Sequence, residues 1–416
     1  MQLLFLSNLY PPYALGGYEQ WCQEVAIALA ERGHTVDVLT SQVGAFAPCS
    51  QEDGVTVHRQ LHLEVTGGLS QTAFRLLFNR ARLEAANLGT VRSLITATKP
   101  DAALIWGMWN VPHTVPALVE ELMPGRVVYY LCDYWLTLPN AYIQRWHEPA
   151  RSQWRALQWA KQRLGDYFLT RLAAEPAIPL RLERPICVSR AVRDLLVAQG
   201  APVAHGQIIY GGTQVKQFLT NRAQQNDQPD AILRLLYVGR LVADKGVHDV
   251  LTALQHLKND HNGPVVTLDV YGEGDPDYTT DLHTFVQQHE LEQQVTFHGS
   301  VPRTNIPAIL ARHDVLLFPS IWPEPFARTV LEAMAAGLAV VGTTTGGTSE
   351  ILQHGQTGLT YPAENAQALA EQIAQLAHDP AGRIRLARAG QARVMAEFTF
   401  ERMVDELEAT LNDRQP

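Results

Sequence analysis

Phe318-Pro319-Ser320-Ile321-Trp322-Pro323-Glu324-Pro325-Phe326-Ala327-Arg328-Thr329-Val330-Leu331-Glu332-Ala333-Met334-Ala335-Ala336-Gly337 is the stretch on which the reading of this chain turns. An apolar run, Val315 to Phe318, leads into it, turn residues follow, and a helical pattern then stops at Gly337. A strand, a loop and a helix in that order aim free backbone N–H groups at whatever lies above the sheet, which favours an anion. Glu324 and Glu332 stand eight residues apart, the first expected on the loop and the second about two turns into the helix. One can face a sugar and the other a second polyol, with a phosphate between them at the helix end. A cap and a solvated helix face would also place two glutamates so, and the flanking residues and distant motifs therefore carry the weight.

Short apolar runs alternate with amphipathic stretches on both sides of this segment. Strands are expected at 3–6, 35–39, 102–105, 127–131 and 185–188, then at 233–238, 265–271, 295–297, 315–318 and 339–341. Helices are expected at 18–31, 72–97, 247–257, 281–289, 328–336, 366–377 and 400–411. That alternation predicts an α/β chain of doubly wound parallel sheets with helices on both faces. One Rossmann-like domain would fill residues 1–212 and a second 213–397, with the segment 398–416 returning to the first. The polar, turn-rich stretch 220–230 is the expected linker.

The 416 residues suit two or three domains. A net charge of −9 argues against general nucleic-acid binding. Cys22, Cys49, Cys132 and Cys187 lie far apart without metal-ligand spacing and are expected as reduced thiols of a cytosolic protein. Met1 to Leu6 is apolar without an early positive charge and is expected as a buried first strand rather than a signal peptide. No apolar run approaches the roughly 20 residues that span a bilayer.

The 318–337 segment resembles the Glu-x7-Glu region of family-four retaining glycosyltransferases, which use a nucleotide-diphosphate sugar. The resemblance extends along the chain and is strongest from Leu236 to Tyr361. It implies the GT-B architecture, two open α/β domains facing each other across a cleft. Gly16-Gly17 after the first strand, with Arg32-Gly33-His34-Thr35-Val36 after the helix, is similar to the family's N-terminal signature. By resemblance those glycines meet the donor phosphate; a tight turn needing positive φ would call for them equally. Arg240 and Lys245, five residues apart after a strand, look like the family's Arg-x4-Lys pair on the diphosphate. Glu324 is thereby assigned to the donor sugar and Glu332 to the ribose, with backbone around Pro325, Phe326 and Ala327 near the sugar or phosphate. Pro325 and Ala327 depart from the commoner Glu-Gly-Phe-Gly wording, and Pro325 donates no N–H.

On the acceptor side, Cys132-Asp133-Tyr134 stands where many relatives have His-Asp, leaving Asp133 and Tyr134 as polar groups at the mouth of the cleft. Cys132 has no activating base near it in sequence, against a nucleophile. Arg190 and Arg193, in a stretch resembling the family's strand-to-helix corner, either grip an acceptor phosphate or stand as exposed charges. Asp275-Pro276-Asp277 has metal-binding spacing but reads as a turn. Gly346-Gly347 with Glu350 is expected to close a turn and start a short helix. The fifteen histidines show no ligand spacing, and neither a metal nor a cofactor is expected. The basic, tryptophan-bearing stretch 144–171 either packs on the first domain or docks on an anionic membrane face.

These readings together imply a cytoplasmic enzyme, peripheral on the inner membrane face if 144–171 docks there. It would move a sugar, with retention, from a UDP-sugar to the hydroxyl of a sugar phosphate, a lipid-linked sugar or a polysaccharide. A sugar-nucleotide epimerase on the same fold and a non-catalytic nucleotide-sugar binder are the alternatives.

Overall fold

A computed structural model describes residues 1–13, 16–64, 78–137, 155–173, 179–219, 232–261 and 263–413. The chain divides into two compact units. The first comprises Met1–Val188, Val192–Ile209 and the chain from Val404 on; the second comprises Ser189–Ala191 and Tyr210–Met403.

The first unit contains β1 (Gln2–Leu6), β2 (Thr35–Ser41), β3 (Cys49–Glu52), β4 (Val55–Leu61), β5 (Ala102–Ile105), β6 (Val127–Leu131), β7 (Pro185–Cys187) and β8 (Gln207–Ile208). They form one sheet in the order β3-β4-β2-β1-β5-β6-β7-β8. All neighbours are parallel except β3 and β4. β1 lies between β2 and β5, with Leu3 opposite both Val36 and Ala102. Leu3, Leu4, Phe5 and Leu6 are all buried. A central parallel strand is covered on both faces, which is why it reads as an unbroken apolar run.

The second unit contains β9 (Leu233–Val238), β10 (Val266–Tyr271), β11 (Val295–Gly299), β12 (Val315–Phe318), β13 (Ala339–Gly342) and β14 (Leu359–Thr360). Their order is β11-β10-β9-β12-β13-β14, parallel throughout. Val315 pairs with Leu235 on one side and Ala339 on the other. Leu235, Leu268, Val315, Leu317 and Val341 form the middle of the core. Burying one such side chain contributes about 1.5–3 kcal/mol. The strand order reverses between β9 and β12, so the loops leaving those two strands flank a topological switch point, the usual place for a ligand in open α/β sheets.

The structure departs from expectation in several elements. β3 and β4 were not anticipated; they form a hairpin whose turn, Asp53-Gly54, holds both residues at positive φ. β8, β14 and the helices Thr114–Leu122 and Pro380–Glu397 were likewise unforeseen. The helix expected at 72–97 runs over Arg80–Thr98, and residues 72–77 lie outside the described residues. The helix expected at 281–289 begins at Pro276 instead. Asp275 caps it, accepting from Asp277 N at 2.9 Å and Tyr278 N at 3.2 Å, so the Asp275-Pro276-Asp277 segment is a helix start rather than a free turn. The expected linker 220–230 lies outside the described residues.

The last helix, Phe400–Asn412, belongs to the first unit from Val404 on. There Arg32 pairs with Asp405 at 2.7 Å and with Glu408 at 2.5 Å, and His34 meets Glu408 at 2.8 Å. Phe398 stays with the second unit, its ring centroid 5.6 Å from that of Phe326.

Candidate active site

β9 ends in Gly239-Arg240, and a short 3-10 turn, Ala243–Lys245, follows. Gly246 then turns the chain with φ +69, and a Cβ there would lie 2.1 Å from the Pro319 carbonyl oxygen. That close approach joins the loop after β9 to the loop after β12. Asp244 O completes the join by accepting from Ile321 N at 2.9 Å and Trp322 N at 3.1 Å. Gly246→Ala is expected to lower stability by about 1–3 kcal/mol, from positive-φ strain and the carbonyl clash together. Denaturant unfolding measures it, and an unchanged midpoint would contradict this account of the loop.

The joined loops bring Lys245 to Glu324: Lys245 Nζ donates to Glu324 Oε1, and Ser320 Oγ donates to the same oxygen at 2.7 Å. Arg240 is exposed and pairs with no acid among the described residues. The helix Arg328–Ala335 starts at Ala327, a residue with no side chain able to cap it. Glu332 therefore sits just over one turn into the helix, not two. It is 2% exposed, and its Oε1 accepts from Arg328 Nε at 2.8 Å and from Arg303 Nη2. Its Oε2 accepts no hydrogen bond from a described residue. The partners Ser320, Arg303 and Arg328 are absent from the sequence reading; only Arg328, four residues before Glu332, had a visible signal in helical spacing.

The backbone of the sugar-assigned loop is clamped. Gly347 N donates to Glu324 O at 2.7 Å, and Ser189 Oγ donates to Pro325 O at 2.7 Å. Thr343 and Thr345 hydroxyls donate to Ser320 O at 2.6 and 3.1 Å. Phe326 is buried, its ring 5.3 Å from Tyr210 in a stacked arrangement. Gly346–Glu350 forms a 3-10 turn, as the glycine pair suggested.

The arginines Arg190 and Arg193 are engaged by acids. Arg190 Nη1 lies 3.6 Å from Glu350 Oε2, and Arg193 Nη2 lies 2.9 Å from Asp194 Oδ1.

In the first unit, Gly16 has φ −158 and Gly17 begins the helix Gly17–Glu31. Neither has positive φ, so the turn that would demand glycine is not what is found. A Cβ on Gly16 would meet nothing nearer than 3.5 Å. Among the described residues nothing crowds that position, and its absent side chain leaves the backbone approachable. Glu19 Oε2 accepts from Gly16 N at 2.9 Å and closes the helix start.

Asp133 and Tyr134, expected at a polar mouth, are instead buried, 7% and 1% exposed, because they follow the central strand β6 directly into the core. Asp133 Oδ1 accepts from Trp135 N at 3.0 Å. Burial pushes this carboxyl up to about 7, against the pull of the Trp135 N–H and with help from the Glu19 charge. Burial likewise drives the Cys132 thiol well above its ordinary value, which removes it as a nucleophile. Folded protein holds the Asp133 proton where the unfolded chain releases it. Stability should therefore fall as pH rises from about 4 to about 7, by at most ~4 kcal/mol from this group. Asp133→Asn should flatten that slope in denaturant unfolding followed across the same pH range.

Residues 15–217 match the family described as Glycosyltransferase Family 4, and residues 220–393 match that described as Glycosyl transferases group 1. The chain is a family-four glycosyltransferase. It is 28% identical over 438 residues to the glycogen synthase of Mycobacterium tuberculosis, covering 100% of this chain and 97% of that one. Among solved structures, the sucrose-phosphate synthase from Thermosynechococcus elongatus superposes with a TM-score of 0.73 at 21% identity, over 98% of this chain and 97% of that one. HepE of Anabaena, solved in complex with UDP, gives 0.68 at 23% identity over 99% of each chain. The glycosyltransferase thus has the GT-B fold, with two parallel-sheet α/β domains.

The stretch 144–171 is described only from Arg155, and residues 144–154 lie outside the described residues. In the helix Arg155–Ala173, Trp159, Leu164 and Tyr167 are exposed, and the Arg163 guanidinium lies 5.6 Å from the Trp159 ring centroid. Among the described residues, no helix is long and apolar enough to cross a membrane.

Proposed function

We propose that this glycosyltransferase moves a sugar from a UDP-sugar to an acceptor hydroxyl, with retention of configuration and without a metal. The observation that carries the reading is the convergence of Arg240, Lys245, Glu324 and an uncapped helix start at one topological switch point. Arg240, Lys245 and the helix amides would take the diphosphate, Glu324 the sugar hydroxyls and Glu332 the ribose. In a front-face displacement the bond from the anomeric carbon to the β-phosphate oxygen breaks. The acceptor oxygen bonds to that carbon on the same face, and the departing phosphate oxygen takes the acceptor's proton. The cations stabilise the charge on that phosphate as it forms. UDP bound by HepE and the glycogen synthase relative support a nucleotide-sugar donor. Sugar phosphates, lipid-linked sugars and polysaccharides are the acceptor classes.

The test is binding of a nucleotide-sugar panel, then turnover against an acceptor panel in EDTA. Donor consumption with no acceptor would favour an epimerase. Binding without turnover on any acceptor would favour a binding protein, and dependence on Mg²⁺ or Mn²⁺ would remove the metal-free assignment. Glu324→Gln should lower kcat by on the order of 10-fold or more with a smaller change in UDP affinity, because sugar contacts tighten as the anomeric carbon becomes cation-like. Equal losses in kcat and UDP affinity would count against the sugar role.

The exposed Trp159, Leu164 and Tyr167 beside Arg163 support peripheral contact with an anionic membrane surface as part of the same proposal. Co-sedimentation with vesicles containing anionic lipid, weakened by Trp159→Ala, is the expected result. Absence of co-sedimentation at low salt would leave the helix as a solvated face.

A further inference from the structure

Glu350 stands at the end of the Gly346–Glu350 turn and gathers three hydrogen-bond donors and a guanidinium. Its Oε2 accepts from Arg190 N at 3.1 Å and from Tyr210 Oη at 2.9 Å, and its Oε1 accepts from Ala191 N at 2.9 Å. The Arg190 guanidinium adds its charge at 3.6 Å and also donates to Tyr210 Oη at 2.5 Å. All these residues belong to the second unit. Hydrogen bonds to an ionised carboxylate are about twice as strong as neutral ones. The carboxylate therefore holds the Ser189–Ala191 segment and the Tyr210 ring in place together.

Both held groups bear on the loop assigned to the donor sugar. Ser189 Oγ donates a hydrogen bond to the Pro325 carbonyl, and the Tyr210 ring stacks on Phe326. From the same short turn as Glu350, Gly347 N fixes the Glu324 carbonyl. The fit is tight: a Cβ on Gly347 would lie 2.1 Å from Pro325 O and 2.9 Å from Ser189 Oγ. Pro325 cannot anchor itself through an N–H, so its carbonyl and the ring of its neighbour provide the anchoring.

We propose that Glu350 is a positioning residue for glycosyl transfer, acting through Ser189 and Tyr210 to set the backbone of Glu324, Pro325 and Phe326. This rests on the assignment of Glu324 to the donor sugar. In consequence the amides of Arg190 and Ala191 serve an internal carboxylate rather than an acceptor phosphate. The two arginines that hold Glu332 Oε1 are not among the groups that donate to Glu350, so the carboxylate assigned to the ribose is held separately.

Four variants of the full chain test it: Glu350→Gln, Glu350→Ala, Ser189→Ala and the double Ser189→Ala/Glu350→Ala. Glu350→Ala should lower kcat by on the order of 10- to 100-fold, the scale of a small misplacement of a reacting group. Glu350→Gln, which keeps one acceptor oxygen, should fall between it and the wild type. UDP affinity should change less than kcat in all four, since the Glu332 carboxylate assigned to the ribose keeps its arginine contacts. The double variant should be no slower than Glu350→Ala alone, the signature of two residues acting in one chain of contacts. Amide exchange at Phe326 and Ala327 should quicken in Glu350→Ala while the β9 and β12 amides keep their protection. Exchange reports on the positioning even if no nucleotide sugar is turned over, which separates a failure here from a failure of the proposed reaction. Multiplicative losses in the double variant, UDP affinity falling by the same factor as kcat, or unaltered exchange at Phe326 and Ala327 would each overturn the proposal.

Discussion

Replacing Lys245 by alanine is expected to lower turnover by on the order of 10²-fold or more, the scale of removing one preorganised charge from a developing anion. Lys245 carries two loads. In the proposed assignment it meets the diphosphate, and it already neutralises Glu324, whose side chain is only 14% exposed. On that assignment the alanine variant loses leaving-group stabilisation and, among the described residues, leaves the Glu324 carboxylate with the Ser320 hydroxyl as its side-chain donor. Lys245→Arg keeps the charge but changes the reach, and should recover only part of the rate. Steady-state turnover in EDTA with a donor identified by the binding screen measures both. Full activity in Lys245→Ala would remove the phosphate assignment. Restoration of that variant by a divalent cation would mean instead that a metal can occupy the lysine's place.

The second large effect is expected at Glu332. Its Oε1 is committed to Arg303 and Arg328, and its Oε2 accepts from no described residue. In the proposed assignment the oxygen that accepts from no described residue is the one left to take the ribose diol. Glu332→Gln should weaken UDP binding by on the order of 10-fold or more, the loss of one to two hydrogen bonds to a charged acceptor. Glu332→Ala should in addition lower stability by about 3–5 kcal/mol, because the largely buried guanidinium of Arg328 loses the Glu332 carboxylate. Calorimetric titration with UDP reads the first and denaturant unfolding the second. UDP bound by Glu332→Gln as tightly as by wild type would remove the ribose role and leave Glu332 as a structural ion-pair centre.

How far these groups were legible in the sequence differs by residue. Arg240, Lys245, Glu324 and Glu332 stand out because each lies at a fixed offset from a strand or helix end, and strand ends are visible as the limits of apolar runs. The hairpin β3–β4 was missed although Asp53-Gly54 is a strong turn signal, because its strands alternate polar and apolar residues rather than forming a run. The start of the Pro276–Gln288 helix was missed because Asp275-Pro276 was weighed as a turn, whereas an N-cap followed by proline at the first helical position signals a helix. At Gly16 the structure shows an extended backbone, so the alternative reading of a turn needing positive φ does not hold.

By itself the sequence determined the alternation of strands and helices, the parallel sheets and the family to which the chain belongs. Strands buried on both faces must be continuously apolar, and phosphate-binding loops must carry their residues at short, regular offsets; both constraints are local and so are written along the chain. Only the tertiary structure decided the partners. Lys245 and Glu324 are 79 residues apart, Arg303 and Glu332 are 29 apart, and Arg190 and Glu350 are 160 apart. No local pattern joins such pairs. The order β9-β12-β13 brings the ends of three separate strands side by side. There the close approach at Gly246, the buried carboxylate of Glu332 and the donors converging on Glu350 select which charges meet.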